Sequence, residues 1–172
     1  MKKTLLSAVS ACLLTAAPAA ADPATLLGVF QNWQVFSSGS GASLTCYALS
    51  QPRATQPHGV KRGAIYLLVS DFPGRKVKAE PQIVLGYPAK ENGPASLGVG
   101  PDKFTFFQRN EGKEGKAWLS SLGDSQKLID SMRGGVSVVA TGLSARGTKT
   151  IDTYSLAGFG DALAKVHASC NM

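Results

Sequence analysis

Short runs of apolar and β-branched residues recur along the chain between turn-forming residues, and most of them alternate with polar positions as half-buried strands require. They run from Phe30 to Ser37, Leu44 to Ser50, Ala64 to Ser70, Pro81 to Tyr87, Ser96 to Val99, Phe104 to Gln108, Ala117 to Ser120, Val136 to Thr141 and Thr148 to Tyr154. Gly100-Pro101-Asp102-Lys103 suits a tight turn, because proline pre-sets its backbone angle, and predicts a hairpin between its flanking strands. Asn110 to Gly115 predicts another turn.

Helical spacing occurs twice. From about Asp124 to Arg133, Leu128, Ile129 and Met132 share one side, with Asp124 as N-cap and Gly134 just past the end. From Gly158 to Ser169, Phe159, Leu163, Val166 and Cys170 fall within one arc, and Asp161 and Lys165 suit the helix dipole. Strands that do not alternate with helices exclude a parallel α/β fold. The expectation is a mainly β protein: a single antiparallel β-sandwich or barrel-like domain, with a short helix near 124–133 and a C-terminal helix packed on the sheet. No repeat or low-complexity linker offers a boundary, so 22–172 reads as one domain.

The first 21 residues read as a cleaved secretory signal: Lys2 and Lys3, an apolar run from Leu5 to Leu14, and Ala19-Ala20-Ala21 before Asp22. A competing reading takes Val9-Ser10-Ala11-Cys12 as a lipoprotein cleavage box that leaves Cys12 lipidated. Nothing after the signal reaches the roughly 20 apolar residues of a membrane-spanning helix. The expected place is the periplasm or outer envelope of a Gram-negative bacterium. There the remaining pair, Cys46 and Cys170, is expected to form a disulfide, since both fall on apolar faces and the compartment is oxidising.

Charge adds a candidate interaction region. The chain carries +7, or +5 once Lys2 and Lys3 are removed, and residues 51–79 alone hold Arg53, Lys61, Arg62, Arg75, Lys76 and Lys78 against Asp71. Such a concentration attracts an anionic partner such as lipid, lipopolysaccharide or an acidic glycan, while a solvated face is the structural alternative. An exported chain with no recognition fold gives no reason to expect nucleic acid.

Motifs for catalysis are thin. Gly142 to Lys149 approaches a phosphate-binding loop, but threonine precedes lysine and a strand follows where a helix is needed. No Gly-x-Ser-x-Gly occurs. The two histidines, His58 and His167, stand apart from any cysteine cluster, so neither metal nor cofactor is expected. His167 paired with a serine, or two carboxylates among Asp71, Glu80, Asp152 and Asp161, would be the routes to a hydrolase. Trp33, Tyr47, Tyr66, Phe104, Phe106, Trp118 and Tyr154 lie in strand-like segments, as core residues or as a sugar-stacking platform.

Several motifs form an ordered series: Cys46 to Pro52, Lys61-Arg62-Gly63, Gly86-Tyr87-Pro88, Ser144 to Thr148 and Asp152 to Phe159. Together they resemble the invasion-associated locus B family of alphaproteobacterial exported proteins, over a span from about Trp33 to Cys170. Some members carry a further cysteine after the first tryptophan, where this chain has Val35-Phe36-Ser37. The resemblance implies a small β-rich envelope domain, linked in some pathogens to host-cell entry, with no established catalytic residue. Read physically, Ser144 to Thr148 is a turn whose Gly147 permits unusual backbone angles, with Arg146 free to reach a carboxylate or ligand. The functional expectation is a non-catalytic envelope binding protein using Arg53, Lys61, Arg62, Arg75, Lys76, Lys78 and Arg146; the alternative is a hydrolase or carbohydrate-binding module. A coherent basic face would favour the first, and a concave pocket with converging polar groups the second.

Overall fold

The computed structural model describes residues 23–172, so the signal segment, its two lysines and Cys12 lie outside the described residues. The strands are β1 (Thr25–Phe30), β2 (Trp33–Ser38), β3 (Thr45–Ser50), β4 (Ala54–Gln56), β5 (Tyr66–Phe72) and β6 (Val77–Val84). They continue with β7 (Pro94–Val99), β8 (Asp102–Glu111), β9 (Glu114–Leu119), β10 (Ser137–Leu143) and β11 (Lys149–Ser155). All join one antiparallel sheet in the order β1-β2-β3-β5-β6-β9-β8-β7-β10-β11-β4. The mainly β expectation holds, as a single unclosed sheet with β1 and β4 at its edges.

Alternation decides which side faces inward. In β3 every second residue is buried (Cys46, Ala48, Ser50), and the pairing register carries the pattern to Asp71, Val69 and Leu67 of β5. It continues through Ile83, Ala117, Phe106, Leu97, Ala140 and Tyr154. A one-residue slip of any strand would turn this set to solvent, so the pattern fixes the register. Burying each large side chain contributes roughly 1.5–3 kcal/mol.

Two helices complete this core. α1 (Ser125–Gly134) buries Leu128, Ile129 and Met132 and packs against β6. α2 (Phe159–Cys170) lays Phe159, Ala162, Leu163 and Val166 across β2 and β3, with the Phe159 ring 4.9 Å from Trp33. The disulfide forms as expected: Cys46 and Cys170 are bonded, with Cα atoms 5.9 Å apart. Beside it, Asp71 is fully buried, accepts a hydrogen bond from the Ala79 backbone N–H at 2.7 Å, and lies 2.6 Å from Nδ1 of His167.

Some local expectations change. Of the expected Phe30 to Ser37, all but the first residues form β2, and Phe30 instead ends β1, a strand not expected from the sequence, because Gln31 takes a left-handed φ of 52° and turns the chain between them. β4 escaped sequence reading, being three residues long and held by its neighbour β11. Asp124 makes no side-chain cap, since its backbone is already helical, and Gly134 lies inside α1 with Gly135 as its cap.

Side chains bring the two margins of the sheet together. Trp33 donates its indole N–H to the Ser155 carbonyl at 3.1 Å, and Asn32 donates to the Ser155 hydroxyl at 3.1 Å. Arg53, next to β4, donates to the Asn32 carboxamide oxygen at 2.7 Å. Gly158 lies so close to the Phe30 carbonyl that a Cβ there would stand 2.1 Å from its oxygen, and its φ of +87° also excludes most side chains.

Candidate functional site

The segments Lys61-Arg62-Gly63, Gly86-Tyr87-Pro88 and Ser144 to Thr148 converge on one cavity of about 330 Å³. Its lining includes Lys61, Arg62, Tyr87, Ser144, Arg146 and Thr150. The Gly63 N–H donates to the Gly86 carbonyl at 2.7 Å, and a Cβ on Gly86 would stand 2.8 Å from the Gly63 oxygen, so glycine is what lets these two loops touch. The Ala145 N–H donates to Pro88 O at 2.8 Å and ties the third segment to the second.

Beneath the cavity lies a buried ion pair. Arg62 binds Asp152 of β11 in a two-pronged pair at 2.6 and 2.8 Å, with side chains only 5% and 1% exposed. The same guanidinium donates twice to the Leu85 carbonyl, at 3.1 and 2.7 Å, and its carbon stands 4.9 Å from the Tyr87 ring centre. The Tyr87 hydroxyl shares a 2.6 Å hydrogen bond with Thr150. Burial pushes the Tyr87 phenol above its ordinary range, outweighing the opposing Thr150 hydrogen bond and the Arg62 charge. Tyr154 is fully buried with its hydroxyl unpartnered, and burial first, then the Asp152 charge, raises its phenol strongly.

The basic segment does not form one face. Arg62 turns its charge inward to Asp152 instead of presenting it to a partner. Lys61 and Arg146 stand exposed at the cavity. Arg53 is bound at the sheet margin to Asn32. Arg75 and Lys76 lie past the other end of β5, which is about 20 Å long at 3.3 Å per residue, and Lys78 lies beside that end near the start of β6. Arg75 and Lys78 line a second, larger groove of about 700 Å³ with Arg109, Phe107 and Trp118.

Sequence reasoning missed the Arg62–Asp152 pair because 90 positions separate its partners. Of the catalytic candidates, His58 is exposed, and His167 is held by Asp71 with no serine bonded to its ring among the described residues. Glu80 lies on the outer face near Arg75, at 3.7 Å, and Asp161 is exposed on α2. Trp33, Phe104, Phe106 and Tyr154 are core residues; Tyr47 is half-buried and stacks on Phe36 at 5.5 Å, and Tyr66 is half-buried on the outer side of β5. Trp118 faces the larger groove. Among the described residues no cluster of metal-ligating side chains occurs, and no helix is long and apolar enough to cross a membrane.

No family model matches the chain, and a search of curated proteins finds no match. A solved structure, invasion associated protein B from Bartonella henselae, matches over 84% of this chain and 98% of its own length. Its TM-score is 0.57 at 15% sequence identity. The chain therefore has the fold of an invasion-associated locus B-like protein, the one its motifs resemble.

Proposed function

We propose that this is an exported envelope protein that binds rather than catalyses, holding an anionic group of an envelope component at the cavity between Lys61 and Arg146. The basic segment forms no single face, so the reading rests instead on three separate motifs that converge on a concave cavity, the form expected of the hydrolase or carbohydrate-binding alternative, with two exposed cations at its mouth and its nearest carboxylate already paired. Its floor supports binding: Asp152 has both carboxylate oxygens engaged by Arg62, so it is not free to accept a proton from a substrate. That pair fixes the floor while Lys61 and Arg146 supply attraction. The Cys46–Cys170 disulfide supports an oxidising compartment, and the expected signal segment supports export to it. The likeness to invasion associated protein B is one of fold, and any part in host-cell entry is a property to be sought separately.

Binding of vesicles containing lipopolysaccharide tests the proposal, with uncharged lipid vesicles as the comparison. Lys61→Gln with Arg146→Gln is expected to weaken it by up to about thirtyfold, two exposed charges each contributing up to about 1 kcal/mol. Unchanged binding of the double variant would overturn the reading. Release of the wild-type protein by osmotic shock, with its disulfide intact, tests the compartment.

A further inference from the structure

The larger groove carries chemistry that the cavity does not. It runs over the outer face of β6, β9 and β8, between the β5–β6 turn and the start of α1. Phe107 and Trp118 are cross-strand partners there, with ring centres 5.9 Å apart and planes 25° from parallel. The Arg109 guanidinium stands 5.3 Å from the Phe107 ring centre, and Arg75 stands 3.9 Å from that of Phe72. Arg75, Lys78 and Arg109 are exposed. Glu80 and Glu111 share the lining, with Asn110, Ser120 and Ser125.

From this combination we infer that the groove is a binding site for an acidic glycan, a polysaccharide whose sugars carry carboxylates. The aromatic faces are electron-rich and attract the polarised C–H face of a sugar ring. The arginines and the lysine match the carboxylates, with arginine able to bind one in two-pronged fashion. Glu80 is paired with Arg75 and Glu111 with Lys116, which offsets their charge, and their remaining lone pairs accept hydrogen bonds from ring hydroxyls, groups that a purely anionic surface does not offer and that an apolar peptide lacks. The groove's volume of about 700 Å³ lies within the range of roughly 300–1,000 Å³ typical of ligand clefts.

The site is independent of the cavity. Titration calorimetry with hexagalacturonate, compared with neutral maltohexaose, tests it on the disulfide-intact protein. The acidic sugar is expected to bind at least about tenfold more tightly, Trp118→Ala to weaken it about tenfold, and Arg109→Gln about threefold or more. Lys61→Gln with Arg146→Gln is expected to leave it unchanged. Equal affinity for the two sugars, no binding of hexagalacturonate, or loss of binding only in the Lys61/Arg146 variant would overturn the inference. Should Trp118→Ala lose its fold by far-ultraviolet circular dichroism and thermal melting, Arg109→Gln decides, because Arg109 is exposed and its loss leaves the core intact.

Discussion

Single residues in the interior carry unequal consequences. Asp152 neutralises a buried guanidinium, so Asp152→Ala leaves Arg62 charged in a dry site and is expected to cost about 3–5 kcal/mol. Replacing the pair together, Arg62→Met with Asp152→Leu, should recover most of that in urea denaturation. Tyr154 sets an alkaline limit. Its phenol titrates higher in the folded chain than the ordinary value of 10.0, so the neutral form is favoured by folding. The corresponding stability is fully present below pH 10 and is lost as pH rises towards the folded value, at about 1.4 kcal/mol per pH unit. Denaturation midpoints should therefore hold up to pH 10 and fall beyond it. In Tyr154→Phe the fall should be shallower, with Tyr87 still contributing. The sequence places Tyr154 among core candidates and Asp152 among candidate carboxylates, but it does not show their environment, because the partners come from elsewhere in the chain.

Elements were more legible than contacts, for a physical reason. Period-two alternation marks a strand that covers a core on one side, and β3, β8, β10 and β11 announce themselves this way. The apolar stripes of α1 and α2 do the same at helical spacing. Reading failed where a neighbour rather than the segment decides: β4 is a strand because β11 pairs with it, and β1 separates from β2 through a turn without glycine or proline. The joint between α2 and β3 was legible as two inward cysteines. Opening it by Cys46→Ala with Cys170→Ala frees a loop spanning 124 positions and should cost about 2–5 kcal/mol, seen as a lower Tm. The helix should loosen before the sheet, with its amide protons exchanging faster.

At the scale of the whole molecule, the curled sheet positions both binding regions. The cavity sits past one end of β5, where loops from three parts of the chain meet, and the groove lies on the outer face of β6, β9 and β8. Neither could be located from sequence, since the charges at 61–62 and 75–78 look continuous in one dimension and are separated by a whole strand in three. Asn32 is the hub of the margin contacts. Asn32→Ala removes its bonds to Ser155 and Arg53 and is expected to lower stability by about 1–3 kcal/mol, measurable in urea.

The disulfide stands on the same core as Trp33 and α2, whereas the margin is held by an indole, a carboxamide and a guanidinium. The molecule behaves as a split ring with a rivet on one side and a clasp on the other. Undoing the clasp exposes two strand borders with free peptide groups, ready to accept a strand from another chain, while the rivet keeps the rest in register.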